Sequence, residues 1–359
     1  MRIFSVVGAR PQFIKASVVS RAIAQTAGLE EILLHTGQHF DANMSDIFFS
    51  DLGIPQPQIR LDIHGGSHGE MTGRMLAEIE QALIAHRPDR VVVYGDTNST
   101  LAAALAAAKL HIPVAHIEAG LRSFDRRMPE ELNRILTDHL ADILYCPTPD
   151  AVENLRDEGI PGKAGTNTVL NVGDVMEDSV KLFSQAATPP AGIATAGPFV
   201  LATIHRAENT DDPERLRNIV EGLNALHDRF GVVLPVHPRT RGAIARLGID
   251  VRFEVVDPVG YLEMLGLIAA SGLVVTDSGG LQKEAFFMGR QCITCRDTTE
   301  WVGLIAAGVN VLVGTDQAAL VREAGDRFGQ TVVNDGSLFG GGTASRKIAD
   351  HLAASGPAN

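Results

Sequence analysis

Cysteine, aromatic residues and long apolar runs are all scarce in this sequence. Its 359 residues include 3 Cys, 1 Trp and 3 Tyr, and aromatics make up 5%. An odd, low cysteine count cannot frame a disulfide-stapled scaffold and fits a reducing cytoplasm. Cys292 and Cys295 form a C-x-x-C, but no second pair or nearby histidine completes a zinc set. They sit in QCITC, which reads as a buried strand, so Cys292 and Cys295 are expected as core thiols; the third cysteine is Cys146. No apolar run approaches the roughly 18 residues of a membrane span. The apolar run after Arg2 is too short for a signal-peptide core, so no leader is expected. Positive charge is also in deficit: 31 Lys plus Arg against 43 Asp plus Glu leave a net charge of -12. That field repels nucleic acid and anionic membranes, and excludes both as natural partners. A small anionic ligand in a local basic pocket stays open.

What is present is a regular alternation. Hydrophobic residues at 45% suffice for ordinary cores, and the length suits two domains. Apolar runs at 3–8, 31–36, 90–95, 112–118, 143–146 and 169–173 read as strands. A second series follows at 199–204, 231–236, 273–277, 291–295 and 311–314. Continuous Val/Ile/Leu runs mark strands buried on both faces, hence parallel sheets. Helical patterns separate them; in Glu131 to Ile143 the residues Leu132, Ile135, Leu136, Leu140 and Ile143 share one apolar stripe. The fold class is therefore α/β, with two Rossmann-like doubly wound domains. The small-residue tract TPPAGIATAGP (188–198) divides them. The expected domains are 1–187 and 188–341. Residues 342–359 form a glycine-rich hinge and a last helix expected to return to the first domain. Ligands of such sheets bind beyond the carboxyl ends of the strands, and the chemically unusual residues cluster there.

The first such end is VVGARPQFIKA (6–16). It is not a P-loop or a G-x-G-x-x-G turn. Arg10 stands at a helix mouth that already favours an anion, and Lys15 follows about a turn later. In VYGDTNST (93–100), Asp96 follows a strand, where capping the next helix would explain it. The stretch HIEAGLRSFDRRMPEE (116–131) gathers Glu118, Glu130, Glu131 and Asp125 with Arg122, Arg126 and Arg127. Acids in a first helical turn are ordinary dipole partners. Asp96, Glu118 and Glu130 converging from neighbouring strand ends would be less ordinary: mutual repulsion and burial raise a carboxyl pKa, which suits acid–base work. His205 in TIHRAEN and His237 in PVHPR lie at consecutive strand ends and are read as hydrogen-bonding a ligand rather than a metal. In VVTDSGGLQKEAFFMG (274–289), Ser278, Gly279 and Gly280 open a helix that would seat a diphosphate, with Glu284 accepting from ribose hydroxyls. Residue chemistry alone leaves several nucleotide-sugar enzymes open.

Taken in order, GARP, HTGQHF, GDTNST, HIEAGLR, PEELNR, TIHRAEN, PVHPRTR, TDSGGLQKEA, RDTTE and ASRKI resemble the non-hydrolysing UDP-N-acetylglucosamine 2-epimerase family across nearly the whole chain. The resemblance implies a GT-B arrangement with a cleft between the domains and a homodimer. It also implies inversion at carbon 2 of a UDP-amino sugar, with no cofactor or metal. It makes Asp96, Glu118 and Glu130 the catalytic carboxylates and puts Arg10, Lys15 and His205 at the substrate. Ser278 and Gly280 match phosphate binders, and Glu284 the ribose partner. Trp301 replaces an arginine after RDTTE, Met264 replaces a phenylalanine near the uracil site, and RPQFIKA replaces RPEAIK. These variants resemble a subgroup acting on UDP-2,3-diacetamido-2,3-dideoxy-D-glucuronate, whose carbon 6 carboxylate Arg122, Arg126 or Arg127 would answer. A hydrolysing epimerase, a GT-B glycosyltransferase and a nucleotide-sugar sensor are the rival readings.

Overall fold

The computed structural model describes residues 1–38, 52–162, 167–193 and 197–356. His39 and Phe40 of the HTGQHF motif, residues 194–196 of the expected linker and residues 357–359 of the tail lie outside them. The chain divides into two compact units. Unit 1 comprises Met1–Ser179 with Gly336–Asn359, and unit 2 comprises Val180–Asp335.

Unit 1 opens with β1 (Arg2–Val7), α1 (Arg10–Ala24), β2 (Glu30–His35), β3 (Ile59–Arg60) and α2 (His68–His86). It continues with β4 (Arg90–Tyr94), α3 (Asn98–Lys109), β5 (Val114–Ile117), α4 (Pro129–Leu140) and β6 (Ile143–Cys146). Then come α5 (Pro149–Asp157), β7 (Thr168–Asn171) and α6 (Val175–Phe183), which carries the chain across to unit 2. Unit 2 holds β8 (Val200–Thr203), α7 (Ala207–Thr210), α8 (Pro213–Phe230), β9 (Val232–Pro235), α9 (Pro238–Leu247) and β10 (Glu254–Val256). It closes with α10 (Tyr261–Ala270), β11 (Leu273–Thr276), α11 (Gly279–Phe287), β12 (Cys292–Thr294), α12 (Val302–Ala306), β13 (Asn310–Leu312) and α13 (Gln317–Arg327). The last helix, α14 (Ala344–Ser355), belongs to unit 1.

Both sheets are parallel, with orders β3-β2-β1-β4-β5-β6-β7 and β10-β9-β8-β11-β12-β13. Every apolar run expected as a strand is one, shifted by a residue or two at its ends. The strands missed, β3 and β10, are short edges that are only partly buried, so neither carries a continuous apolar run. All three cysteines are free and buried, and burial pushes the Cys292 thiol up to about 12.

The apolar stripe expected on 131–143 needs correction. Helix α4 starts at Pro129 and ends at Leu140, and Ile143 begins β6. Leu132 and Leu136 point outward, at 39% and 50% exposure. The buried face carries Glu131, Asn133, Arg134, Thr137 and Asp138. Buried polar groups are tolerated only when paired, so this inversion marks α4 as a carrier of a polar network.

The return of the chain to unit 1 is stitched by backbone contact and by a cap. Asp174 N–H donates to the Phe339 carbonyl at 2.9 Å. Gly173 (φ +93°) lies so close that an added Cβ would meet that carbonyl at 2.5 Å. Asp178, buried on α6, accepts from the N–H groups of Ala344 and Ser345 at 3.1 and 2.9 Å, and from the Ser345 hydroxyl. It thereby satisfies the open amides of α14. Asp178→Ala should cost about 1–2 kcal/mol, lowering Tm by roughly 2–8 °C in calorimetry. An unchanged Tm would mean that apolar packing alone holds α14.

Candidate active site

In unit 1 the strand order reverses between β1 and β4, the position where open α/β sheets leave a crevice at their carboxyl ends. Three strand ends supply the site: Gly8 after β1, Gly95–Asp96 after β4 and Glu118 after β5. The β1 turn is tight, because a Cβ on Gly8 would strike Ser99 Oγ and Thr36 Oγ1, both at 2.2 Å. Buried Gln12 laces this turn to β4. Its Oε1 accepts from Gly8 N and Ala9 N at 2.8 and 3.0 Å. Its Nε2 donates to the Tyr94 carbonyl and Thr100 Oγ1 at 2.7 and 2.9 Å. A glutamate there could accept but not donate, which gives the RPQ variant a structural reason.

Lys15, buried on α1, ion-pairs with Glu118. Glu118 has φ +71°, one of few non-glycine residues in the left-handed region. That conformation costs about 1–3 kcal/mol and clusters at functional sites. Its N–H and that of Ala119 both donate to the Tyr145 carbonyl at 3.1 Å, which holds the turn. Asp96 does not cap α3 as its place suggested; Thr97 does. The Asp96 carboxylate is met instead by Arg134 at 3.2 Å, and its carbonyl by Asn133 Nδ2 at 2.9 Å. Burial pushes the Asp96 carboxyl up, Arg134 and Lys15 pull it down, and Glu118 and Glu130 push it up again. A third of its side chain opens to solvent, which limits that push. Glu130 is exposed at the start of α4. Arg10 is half-buried as the first residue of α1. Asp96, Glu118, Glu130 and Lys15 are thus drawn into one electrostatic neighbourhood.

The three arginines of the loop part company. Arg122 is buried, with Nε and Nη2 on Glu158 at 2.7 and 2.8 Å. Its Nη1 donates to Asp138 and to the Leu121 carbonyl, both at 2.7 Å. Four of its hydrogen bonds are thus made within unit 1, which leaves Arg126 and Arg127 as the exposed arginines of this loop. Arg127 is exposed and forks onto Asp125 at 2.8 and 2.7 Å. Arg126 is exposed.

Sequence reasoning missed Arg134, His116 and Asp138, and underrated Glu131. Glu131 Oε2 accepts from Ser123 N, Ser123 Oγ and Arg134 Nη1 at 2.9, 3.0 and 3.0 Å, and Oε1 from Phe124 N at 2.9 Å. It pins the loop rather than the helix dipole. The signal lay in the spacing of Glu131, Arg134 and Asp138, one turn apart each, which fixes a polar face on a helix.

In unit 2 the analogous reversal falls between β8 and β11. Fully buried Asp277 is the hub. It accepts from His205 N at 3.0 Å, Arg206 N at 3.0 Å and Asn209 Nδ2 at 3.1 Å. His205 Nδ1 lies 3.2 Å from it, leaving half of that side chain exposed. Ser278 caps α11, its Oγ accepting from Leu281 N at 3.4 Å. The two glycines have different reasons. A Cβ on Gly279 would strike Glu300 Oε1 at 2.3 Å, whereas one on Gly280 would meet nothing nearer than Ser278 Oγ at 3.9 Å. Close protein packing therefore explains Gly279, and an open backbone amide at a helix mouth remains at Gly280. Glu284 is buried on the second turn of α11. His237 caps α9, its Nδ1 accepting from Arg239 N at 3.2 Å. Trp301 is buried beneath Lys283, whose ammonium lies 4.0 Å from the ring centroid. A cavity of about 530 Å³ lies beside Arg296, Gly314, Thr315 and Asp316, and none of the expected site residues lines it. Among the described residues, no cluster of His, Cys, Asp or Glu is arranged to hold a metal ion.

Arg134→Met should raise the Asp96 titration midpoint, because it removes the largest influence lowering it. Carboxyl-carbon NMR against pH reads this directly. A midpoint that stays put or falls would show that the two groups do not interact in solution.

The UDP-N-acetylglucosamine 2-epimerase family model matches residues 21–353. The UDP-2,3-diacetamido-2,3-dideoxy-D-glucuronate 2-epimerase of Pseudomonas aeruginosa is 61% identical over 98% of this chain and 99% of its own. The UDP-N-acetylglucosamine 2-epimerase of Methanocaldococcus jannaschii is 42% identical over 90% of this chain and 91% of its own. The crystal structure of the M. jannaschii enzyme with UDP-GlcNAc and UDP superposes with a TM-score of 0.86 at 39% identity, over 99% of this chain and 100% of that one. That of the Neisseria meningitidis UDP-GlcNAc 2-epimerase bound to UDP-GlcNAc gives 0.87 at 30% identity, over 99% of this chain and 100% of that one.

Proposed function

The chain belongs to the UDP-N-acetylglucosamine 2-epimerase family, of GT-B fold, and on that premise we propose that it converts UDP-2,3-diacetamido-2,3-dideoxy-D-glucuronate to its manno epimer without hydrolysing it. The observation that carries the chemistry is the strained, lysine-paired Glu118 beside the burial-perturbed Asp96, with Glu130 within electrostatic reach. The kinship with the Pseudomonas aeruginosa enzyme supports the choice of sugar.

The hydrogen on carbon 2 has no carbonyl to acidify it. Removal becomes feasible when the bond from carbon 1 to the diphosphate oxygen breaks and its electron pair leaves with UDP. The proton passes to a carboxylate, and a carbon 1–carbon 2 double bond forms. Re-addition of UDP, with a proton delivered to the opposite face, completes the inversion. Asp96, Glu118 and Glu130 act as one coupled proton-transfer group, and the Lys15 ammonium fixes Glu118 within it. Arg10 supports the anionic substrate at the mouth of α1.

Unit 2 receives the nucleotide. Ser278 and the open amides at the mouth of α11 suit the diphosphate, Glu284 the ribose hydroxyls, and His205 and His237 the substrate's polar edge. Arg126 and Arg127 are assigned to the carbon 6 carboxylate. The outward Leu132 and Leu136 of α4 are assigned to a homodimer contact. A cytoplasmic site accords with three free thiols, and the uronate product with supply of surface-polysaccharide precursors.

Proton NMR in deuterated buffer tests the reading. Deuterium should enter carbon 2 of the uronate, with manno product and little free UDP. Exchange only with UDP-N-acetylglucosamine would overturn the sugar assignment; lasting UDP would indicate a hydrolase; no exchange with either would return a transferase or a sensor. Asp96→Asn and Glu118→Gln should each slow exchange by about 10² to 10⁴-fold. Arg126→Ala with Arg127→Ala should raise KM for the uronate alone; an unchanged KM removes both from the site. Leu132→Asp with Leu136→Asp should give monomers in sedimentation, and a dimer that survives the pair would place the interface elsewhere.

A further inference from the structure

One cluster lies behind the carboxylates and takes no part in the chemistry above. His116, Asp138 and Arg122 are buried together. His116 Nδ1 lies 2.7 Å from Asp138 Oδ1, and Nε2 lies 2.7 Å from the Gly95 carbonyl oxygen. A backbone carbonyl has no proton to give. Asp138, whose other oxygen pairs with the Arg122 guanidinium at 2.7 Å and accepts from Gly120 N at 3.1 Å, is held as a carboxylate and has none either. Both ring nitrogens must therefore donate. Charge balance agrees: Asp138 and Glu158 bring two negative charges, Arg122 one positive charge, and the ring the fourth. Nearby His139 is half-exposed and lies 3.6 Å from Glu158.

We propose that His116 is a positioning residue, a buried imidazolium that fixes the spacing of Asp96 and Glu118 by tying the carboxyl ends of β4 and β5 to one helix. One proton holds the Gly95 carbonyl. Gly95 (φ +61°) turns the chain into Asp96, and its N–H is held by the Ile117 carbonyl at 2.9 Å. The other proton holds Asp138, whose second oxygen accepts from Gly120 N at 3.1 Å and from Arg122. Gly120 lies two residues beyond the left-handed Glu118. Asp138 rides one turn after Arg134, the partner of Asp96, on α4. A ring with one proton could hold either the Gly95 side or the Asp138 side, and would face the other with a lone pair. The inference rests on the epimerase reading only for its consequence in rate; the protonation of the ring stands apart from it.

The test has two arms. Long-range proton–nitrogen NMR of the ¹⁵N-labelled full chain, with the ring assigned by its loss in His116→Gln, should show a proton on both ring nitrogens under the conditions in which exchange is assayed. A bare nitrogen would overturn the proposal whatever the enzyme does. In the second arm, a glutamine at 116 can reach one partner only. His116→Gln should lower kcat for carbon 2 exchange by about 10²-fold, the effect of a displacement near 1 Å, with KM and UDP affinity unchanged. Unchanged kcat, or kcat falling only in proportion to folded protein, would overturn the positioning role. Wild-type exchange is the control. Its absence overturns the epimerase reading and the rate consequence with it, and leaves the ring's protonation to the first arm.

Discussion

Charge buried at the carboxyl ends of β4 and β5 has to be paired, and the rest of unit 1 is arranged to pair it. An unpaired buried carboxylate would shift its pKa and take up a proton, and breaking an established buried pair costs about 3–5 kcal/mol. Lys15 reaches Glu118 from α1, Arg134 reaches Asp96 from α4, and Arg122 with His116 closes over Asp138. Each partner comes from a different element, so each pairing also fixes an element. The sheet order brings the strand ends together; the ion pairs decide how α1 and α4 lie against them.

The same logic explains why α4 is inside out by ordinary standards. A surface helix normally turns its apolar stripe to the core. Here the core-facing stripe is Glu131, Arg134 and Asp138, each satisfied, and the leucines face outward. That exchange gives up apolar burial to the core and leaves Leu132 and Leu136 exposed.

Unit 2 reaches a similar end with one buried acid. Asp277 gathers the His205 and Arg206 amides and Asn209, so it orders the loop after β8 while Ser278 beside it caps α11. Around this mouth the packing is tight: Glu300 fills the space that a side chain on Gly279 would need, and Trp301 lies under Lys283. The Lys283 ammonium keeps its charge against the aromatic face of Trp301, 4.0 Å from the ring centroid, and this contact helps to seat the tryptophan.

The strands were legible because a strand buried on both faces must be a continuous apolar run, and that property is local. The motifs at their ends were legible for the same reason: Gly8, Asp96, Glu118 and Ser278 sit where a run stops. The edge strands β3 and β10 were not, since an edge needs no such run. The partners of the charges were not legible either. Nothing local distinguishes Arg122, locked on Glu158 thirty-six residues later, from exposed Arg126. Nor does Gln12 announce its bond to Tyr94, eighty-two residues on. Sequence by itself determined the α/β alternation, the strand ends and the acids placed there. Only the tertiary structure decided which acid meets which cation, because the pairing depends on distances between elements that the chain brings together in folding.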